Sequence, residues 1–129
     1  MPNRSLNNLR EWKNVPEPKG DDMIVVANRI SVAKGFEEAF EERFKNRVRK
    51  VDKMPGYIRN EVLRPVGTGA YVVLTHWKNK ESFEAWTESD DFKEAHKNRP
   101  PANMFSGPSA FEMHEVIECS EIEAKRKRV

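Results

Sequence analysis

YIRNEVLRPVGTGAYVVLTHW, residues 57–77, is the stretch on which the fold turns. Two β-rich segments, 57–64 and 70–77, flank Pro-Val-Gly-Thr-Gly, and a proline with two glycines between strands signals a hairpin. On the C-terminal side, a helix is predicted over 80–97, with Phe83, Trp86, Phe92 and Ala95 as apolar markers. Ser89, Asp90 and Asp91 are placed to interrupt it, because all three favour helix caps over helix interiors. A proline-containing loop over 99–109 and a last strand over 110–118 complete that side. On the N-terminal side, Phe36, Phe40, Phe44, Val48 and Val51 recur every three or four residues as an amphipathic stripe. Glu37, Glu38, Glu41 and Glu42 precede Arg43, Lys45, Arg47, Arg49 and Lys50, an order that complements the helix dipole. Met54-Pro55-Gly56 ends this helix. Before it, MIVVANRISV (23–32) alternates as a strand, with Ile24, Val26, Asn28, Ile30 and Val32 on one face. The order is β-α-β-β-α-β: an α+β, ferredoxin-like chain with one antiparallel sheet and both helices on one face. The other sheet face has nothing in so short a chain to cover it, so a second copy is expected there and the protein is read as a homodimer.

The 129 residues suit one domain. Residues 1–22 show no sustained periodicity and read as a flexible or loosely docked extension; 23–118 form the domain and 119–129 a basic tail. Cys119 is the single cysteine, which rules out an intramolecular disulfide and suits a reducing compartment. No apolar run has the length of a membrane helix, and the polar N-terminus lacks a secretory core. The protein is therefore expected to be cytoplasmic. Lys plus Arg number 23 against 21 Asp plus Glu, a net charge of +2, which makes no case for nucleic acid. The basic run at 125–128 reads as a solvated end.

Three residues stand out for chemistry. Asn28 interrupts an apolar strand face; it is either an amide satisfied by neighbouring backbone or a donor aimed into a pocket. Trp86, three residues after Phe83, is either core or part of that pocket. His96 follows Trp86 by ten residues, which on a regular helix leaves the two about 80° apart; a break at 89–91 brings them nearer one cleft. Alternatively, His96 is a solvent-facing histidine favoured by the helix C-terminus. His76 and His114 fit no zinc spacing, and no phosphate-loop, dinucleotide or nucleophile-elbow motif occurs.

The segments ANRISVAKGFEEAFEERF, MPGY, LRPV, LTHWKNKESFEAW and DDFKEAHK together resemble the IsdG-like haem-degrading monooxygenases, dimeric α+β barrels of the antibiotic-biosynthesis-monooxygenase (ABM) superfamily. The likeness spans about 23–118. Its most specific pieces are Ala-Asn-Arg on the first strand, Phe-x-x-Trp on the second helix, and Ala-His-Lys beyond it. The resemblance implies that His96 is the axial ligand of haem iron, a metal-binding role. It implies that Asn28 is the distal amide that hydrogen-bonds ligands of the iron, and that Trp86 presses the porphyrin out of plane. Ile24, Val26 and Phe92 would wall the pocket, Arg47 and less specifically Lys80 would meet the haem propionates, and the 99–109 loop would be a flexible flap. Haem would be both cofactor and substrate, consumed with O2 and electrons from an external reductase or small reductant, with iron released.

Two other readings stand beside it. One is a cofactor-independent ABM-type monooxygenase acting on a polyketide or quinol, for which a histidine after Phe-x-x-Trp is less expected. The other is a non-catalytic haem-binding protein, which would use His96 without turnover.

Overall fold

A computed structural model describes residues 15–20, 23–46, 50–97 and 99–121. Four strands, β1 (Ile24–Ile30), β2 (Tyr57–Leu63), β3 (Tyr71–Trp77) and β4 (Ala110–Glu115), form one antiparallel sheet in the order β2-β3-β1-β4. The helices are α1 (Glu37–Lys45), α2 (Lys80–Thr87) and α3 (Asp90–Ala95). The α+β ferredoxin-like order is as read from the sequence, with the second helix divided in two at Ser89. The strands are shorter than their patterns. Val32 leaves the ladder to make a lone bridge with Phe105, and residues 116–118 lie beyond β4.

Alternation along the strands decides where the core lies. On the helix side, Ile24 and Val26 of β1 and Trp77 of β3 pack with Phe83 and Trp86 of α2. Ile24 and Trp77, paired across the ladder, are both 0% exposed. At the other end of the same face, Phe40 of α1, Tyr71 and Met104 form a second cluster, with Ile30, Phe36 and Phe44 against it. Tilted and edge-on ring pairs run through both clusters, each worth about 0.5–1.5 kcal/mol beyond its buried area. Gly56 (φ +85°) turns the chain into β2; a side chain there would collide with Ser82 at the start of α2.

Two expectations change. First, α1 stops at Lys45 with Asn46 as its C-cap, so only Phe40 and Phe44 of the apolar stripe lie on the helix. Phe36 is its N-cap, Val48 lies outside the described residues, and Val51 begins a separate 3₁₀ turn, Val51–Lys53. Asparagine is a weak helix former that competes for backbone hydrogen bonds, which suits a terminus there. Second, the middle of the 99–109 loop is pinned rather than a free flap. The Ala33 N–H donates to the Met104 carbonyl (2.7 Å), the Ser106 N–H donates to the Ser31 carbonyl (2.9 Å), and Met104 is buried. Residues 15–20, part of the extension read as flexible or loosely docked, contact the domain at two points. The Glu115 carboxylate accepts from the Lys19 and Gly20 N–H groups (3.0 and 3.3 Å). Lys80 donates to the Val15 carbonyl (3.2 Å) and the Glu17 carboxylate (2.7 Å).

The second sheet face carries no helix. Val25 and Ala27 of β1 and Val72 and Leu74 of β3 share it with Leu63, which is exposed, and with the ion pairs Arg29–Glu112 and His76–Glu61.

Candidate functional site

Asn28 projects from the helix-side face of β1, two residues after Val26 and in register with Val73 and Phe111. It is half-buried, and its carboxamide has no hydrogen-bond partner among the described residues. Asn60, on the same face of β2, makes an instructive contrast. Its Nδ2 donates to the Leu74 carbonyl (3.0 Å) and to Thr75 Oγ1 (2.8 Å). Of two asparagines on one apolar face, one is engaged by its neighbours and the other has no side-chain partner among the described residues.

Trp86 is 8% exposed and shares the core with Ile24, Val26, Trp77 and Phe83. One ring edge continues outward. Trp86 meets Phe92 edge-on (5.5 Å, 84°), and Phe92 lies against the His96 imidazole (4.0 Å, 33°). The ladder Trp86–Phe92–His96 thus joins the core to the end of α3. Ser89 permits it: its side chain N-caps α3, where the chain breaks away from α2. Ile24 and Val26 are enclosed by core, whereas Phe92 is half-buried and reaches the surface.

His96 is the C-cap of α3, and its side chain is exposed. Nδ1 lies 2.8 Å from the Phe92 carbonyl. A carbonyl only accepts, so Nδ1 must carry the hydrogen and the neutral ring presents its lone pair at Nε2. Nε2 has no partner among the described residues. The pKa is held below the ordinary histidine value because neighbouring protein desolvates the ring, and the Phe92 carbonyl opposes that shift. The residue is exposed while its ring lies against that of Phe92, so exposure and desolvation coexist. A neutral imidazole with one nitrogen oriented by a carbonyl has the form of a metal-ligating histidine.

Lys80 departs from expectation: it is 4% exposed, held by Val15 and Glu17, with Glu84 at 3.5 Å. An ammonium occupied in this way does not reach out to a carboxylate ligand. Arg47 lies outside the described residues. His76 pairs with Glu61 (3.1 Å) and His114 is exposed in register with Val25, both on the opposite sheet face from Asn28. A depression of about 620 Å³ between α1 and the β2–β3 turn contains none of Asn28, Trp86 or His96. Its wall holds a cluster the sequence reading did not find. Glu41 accepts two hydrogen bonds from Arg64 (2.7 and 2.6 Å) and one from the Tyr71 hydroxyl (2.5 Å). The Arg64 guanidinium and the Tyr71 hydroxyl hold the Glu41 carboxyl at about 2. The carbonyl acceptor for His96 was also missed; the four-residue spacing from Phe92 to His96 was its one sequence signal.

The sequence model described as antibiotic biosynthesis monooxygenase matches residues 23–98, more than half of the chain. The chain belongs to the antibiotic biosynthesis monooxygenase family. Within it, the chain is 42% identical over 89 residues to a staphylobilin-producing haem oxygenase of Staphylococcus haemolyticus, covering 67% of this chain and 85% of that one. It is 33% identical over 96 residues to a mycobilin-producing haem oxygenase of Mycobacterium tuberculosis, covering 74% and 90%. The structure of the haem degrader MhuD from Mycobacterium tuberculosis, with two haems in its active site, superposes with a TM-score of 0.65 at 29% identity, over 76% of this chain and 99% of that one.

Proposed function

We propose that this protein is a haem-degrading monooxygenase, for which haem is both substrate and cofactor. The observation that carries the reading is the His96 imidazole, with Nδ1–H committed to the Phe92 carbonyl and Nε2 open, joined to Trp86 through edge-on and tilted ring contacts at Phe92. The donor set fits haem: a neutral imidazole suits iron, and an unpaired amide on Asn28 suits a ligand with polar atoms. The haem reading is also supported by the activities of the relatives above.

When bound, haem supplies the oxygen chemistry, using O2 and electrons from an external reductase or small reductant. The chain supplies orientation. His96 would hold the iron through Nε2, with its basicity set by the Phe92 carbonyl. Asn28 would offer an N–H donor to polar atoms of the bound group. The Trp86 indole, backed by Phe83 and Trp77, would give the macrocycle a stiff wall to pack against. Phe92 covers the approach and excludes water. Arg47 is the proposed propionate partner. The uncovered sheet face, with Val25, Val72, Leu74 and exposed Leu63, is proposed to close against a second copy as a homodimer. The activity is proposed to be cytoplasmic. Among the described residues, no helix is long and apolar enough to cross a membrane.

Titration of the protein with haemin tests the reading. A Soret shift that His96→Ala abolishes is expected, followed by Soret loss when ascorbate or a reductase is added in air. Binding without bleaching indicates a haem carrier, and no binding rejects haem altogether. Mass spectrometry of the product assigns the tetrapyrrole.

A further inference from the structure

We infer that Ser89 is a positioning residue for haem, coupling the indole of Trp86 to the imidazole of His96; the inference rests on the haem reading above. A continuous helix leaves residues ten apart about 80° out of phase, and the break at Ser89 ends that fixed relation, with Phe92 touching both rings. The Trp86 carbonyl accepts from the Ser89 backbone N–H (3.1 Å), and one hydroxyl carries the side-chain link across the break. Ser89 Oγ–H donates to the Trp86 carbonyl (2.7 Å), and the same oxygen accepts from the Phe92 N–H (3.1 Å). Trp86 is the core anchor of α2, and the Phe92 carbonyl is the acceptor for His96 Nδ1. The hydroxyl therefore lies in an unbroken chain: Trp86 carbonyl, Ser89 Oγ, Phe92 amide, Phe92 carbonyl, His96 imidazole. Side-chain contacts run parallel to it through the three rings. No residue of α3 is buried, so this short helix has little else to hold its direction.

The capping and linking functions of Ser89 separate chemically. An ordinary N-cap needs an acceptor for the Phe92 N–H. The link to Trp86 needs a donor as well. Ser89→Thr keeps both, Ser89→Asp keeps the acceptor and loses the donor, and Ser89→Ala loses both. Ser89→Asp is expected to retain wild-type far-UV circular dichroism and thermal midpoint while binding haemin at least tenfold more weakly. Its ferric complex is also expected to show an altered Soret position and altered out-of-plane bands in resonance Raman. Ser89→Thr is expected within twofold of wild type. In a His96→Ala background, with residual haemin binding read by quenching of tryptophan fluorescence rather than by the Soret shift, Ser89→Asp is expected to add no further loss of haemin affinity. Wild-type affinity and spectra in Ser89→Asp overturn the inference, because a cap alone then suffices. If Ser89→Asp fails to fold, the inference stands or falls on the Thr rescue and on the non-additivity of Ser89→Ala with His96→Ala; additive losses overturn it. A wild-type protein that gives no Soret shift overturns the haem reading itself, a result distinct from either.

Discussion

Replacing Asn28 by valine is expected to cost no stability while removing function, and Asn60 provides the internal control. Both asparagines sit on the helix-side face of the sheet, in neighbouring ladders. Asn60→Val breaks two hydrogen bonds and leaves the Thr75 hydroxyl and Leu74 carbonyl short of a donor. Removing one partner of such buried groups costs about 1–3 kcal/mol. Asn28 has no described bond to lose. Valine there adds half-buried apolar surface and a β-branched residue in a strand, together worth up to about 1 kcal/mol in favour of folding. The two variants should therefore differ by about 2–3 kcal/mol, or roughly 8–12 °C at about 4 °C per kcal/mol for a domain this size. Urea unfolding with an unchanged m-value measures the difference directly. Haemin binding should survive in Asn28→Val, whereas degradation should fall by about 10²–10³-fold, the usual effect of removing one oriented donor. A loss of stability in Asn28→Val equal to that in Asn60→Val would refute the reasoning, since Asn28 would then be a satisfied structural amide. Full degradation activity would remove its role at the ligand.

Trp86→Ala is expected to lose about 3–5 kcal/mol, because the indole is core and its removal leaves a cavity; Trp86→Phe, at about 1–2 kcal/mol, is the variant that isolates its effect on haem, with binding kept and Soret bleaching slowed. Glu41 has a folded pKa of about 2, depressed from 4.5, so its contribution to stability is present above pH 4.5 and is lost as pH falls toward 2. The gap in urea midpoint between wild type and Glu41→Gln should therefore close between pH 5 and pH 2, and a constant gap contradicts the assignment. Deleting residues 1–22 frees Lys80 and Glu115 from their partners and should lower stability by about 1–2 kcal/mol, the loss being limited by water reaching the ammonium. The Lys80 pKa is raised, chiefly by the Glu17 hydrogen bond, so this contribution holds below pH 10.5 and fades as pH rises through the folded value; an unchanged midpoint at neutral pH means the strap is not part of the fold.

Sequence pattern exposed what depends on local periodicity. Alternation in 23–32 placed Ile24 and Val26 on the face that became core, and the cap preferences of residues 89–91 marked the break in the second helix. Contacts between distant segments left no such trace. Lys80 begins a helix like any surface lysine, and only the return of residues 15–17, more than 60 positions earlier, buries it. The loop at 99–109 reads as mobile from its prolines and glycine, yet Met104 finds a hole beside Phe40 and Tyr71. Trp86 shows the reverse case: pattern left core and pocket as alternatives, and the structure places the indole in core while its edge meets Phe92.

That double placement gives the candidate site its mechanical character. α3 has six residues, too few to be stable as an isolated helix, and it buries none of them fully. Its order derives from the Ser89 hydroxyl, from Phe92 against Trp86, and from an ion pair between Lys50 and Asp91 (3.7 Å) that is half in solvent and worth little. The sheet and α2 beneath it are locked by two tryptophans and Ile24. The proposed haem site therefore has one rigid wall, the sheet with α2, and one weakly held one, α3. The free energy needed to admit haem falls on α3 and leaves the sheet intact, which is how low-stability elements come to carry ligand-binding groups. An imidazole that is exposed in the free chain is consistent with a ligand site under this arrangement, because the helix bearing it is the weakly held element.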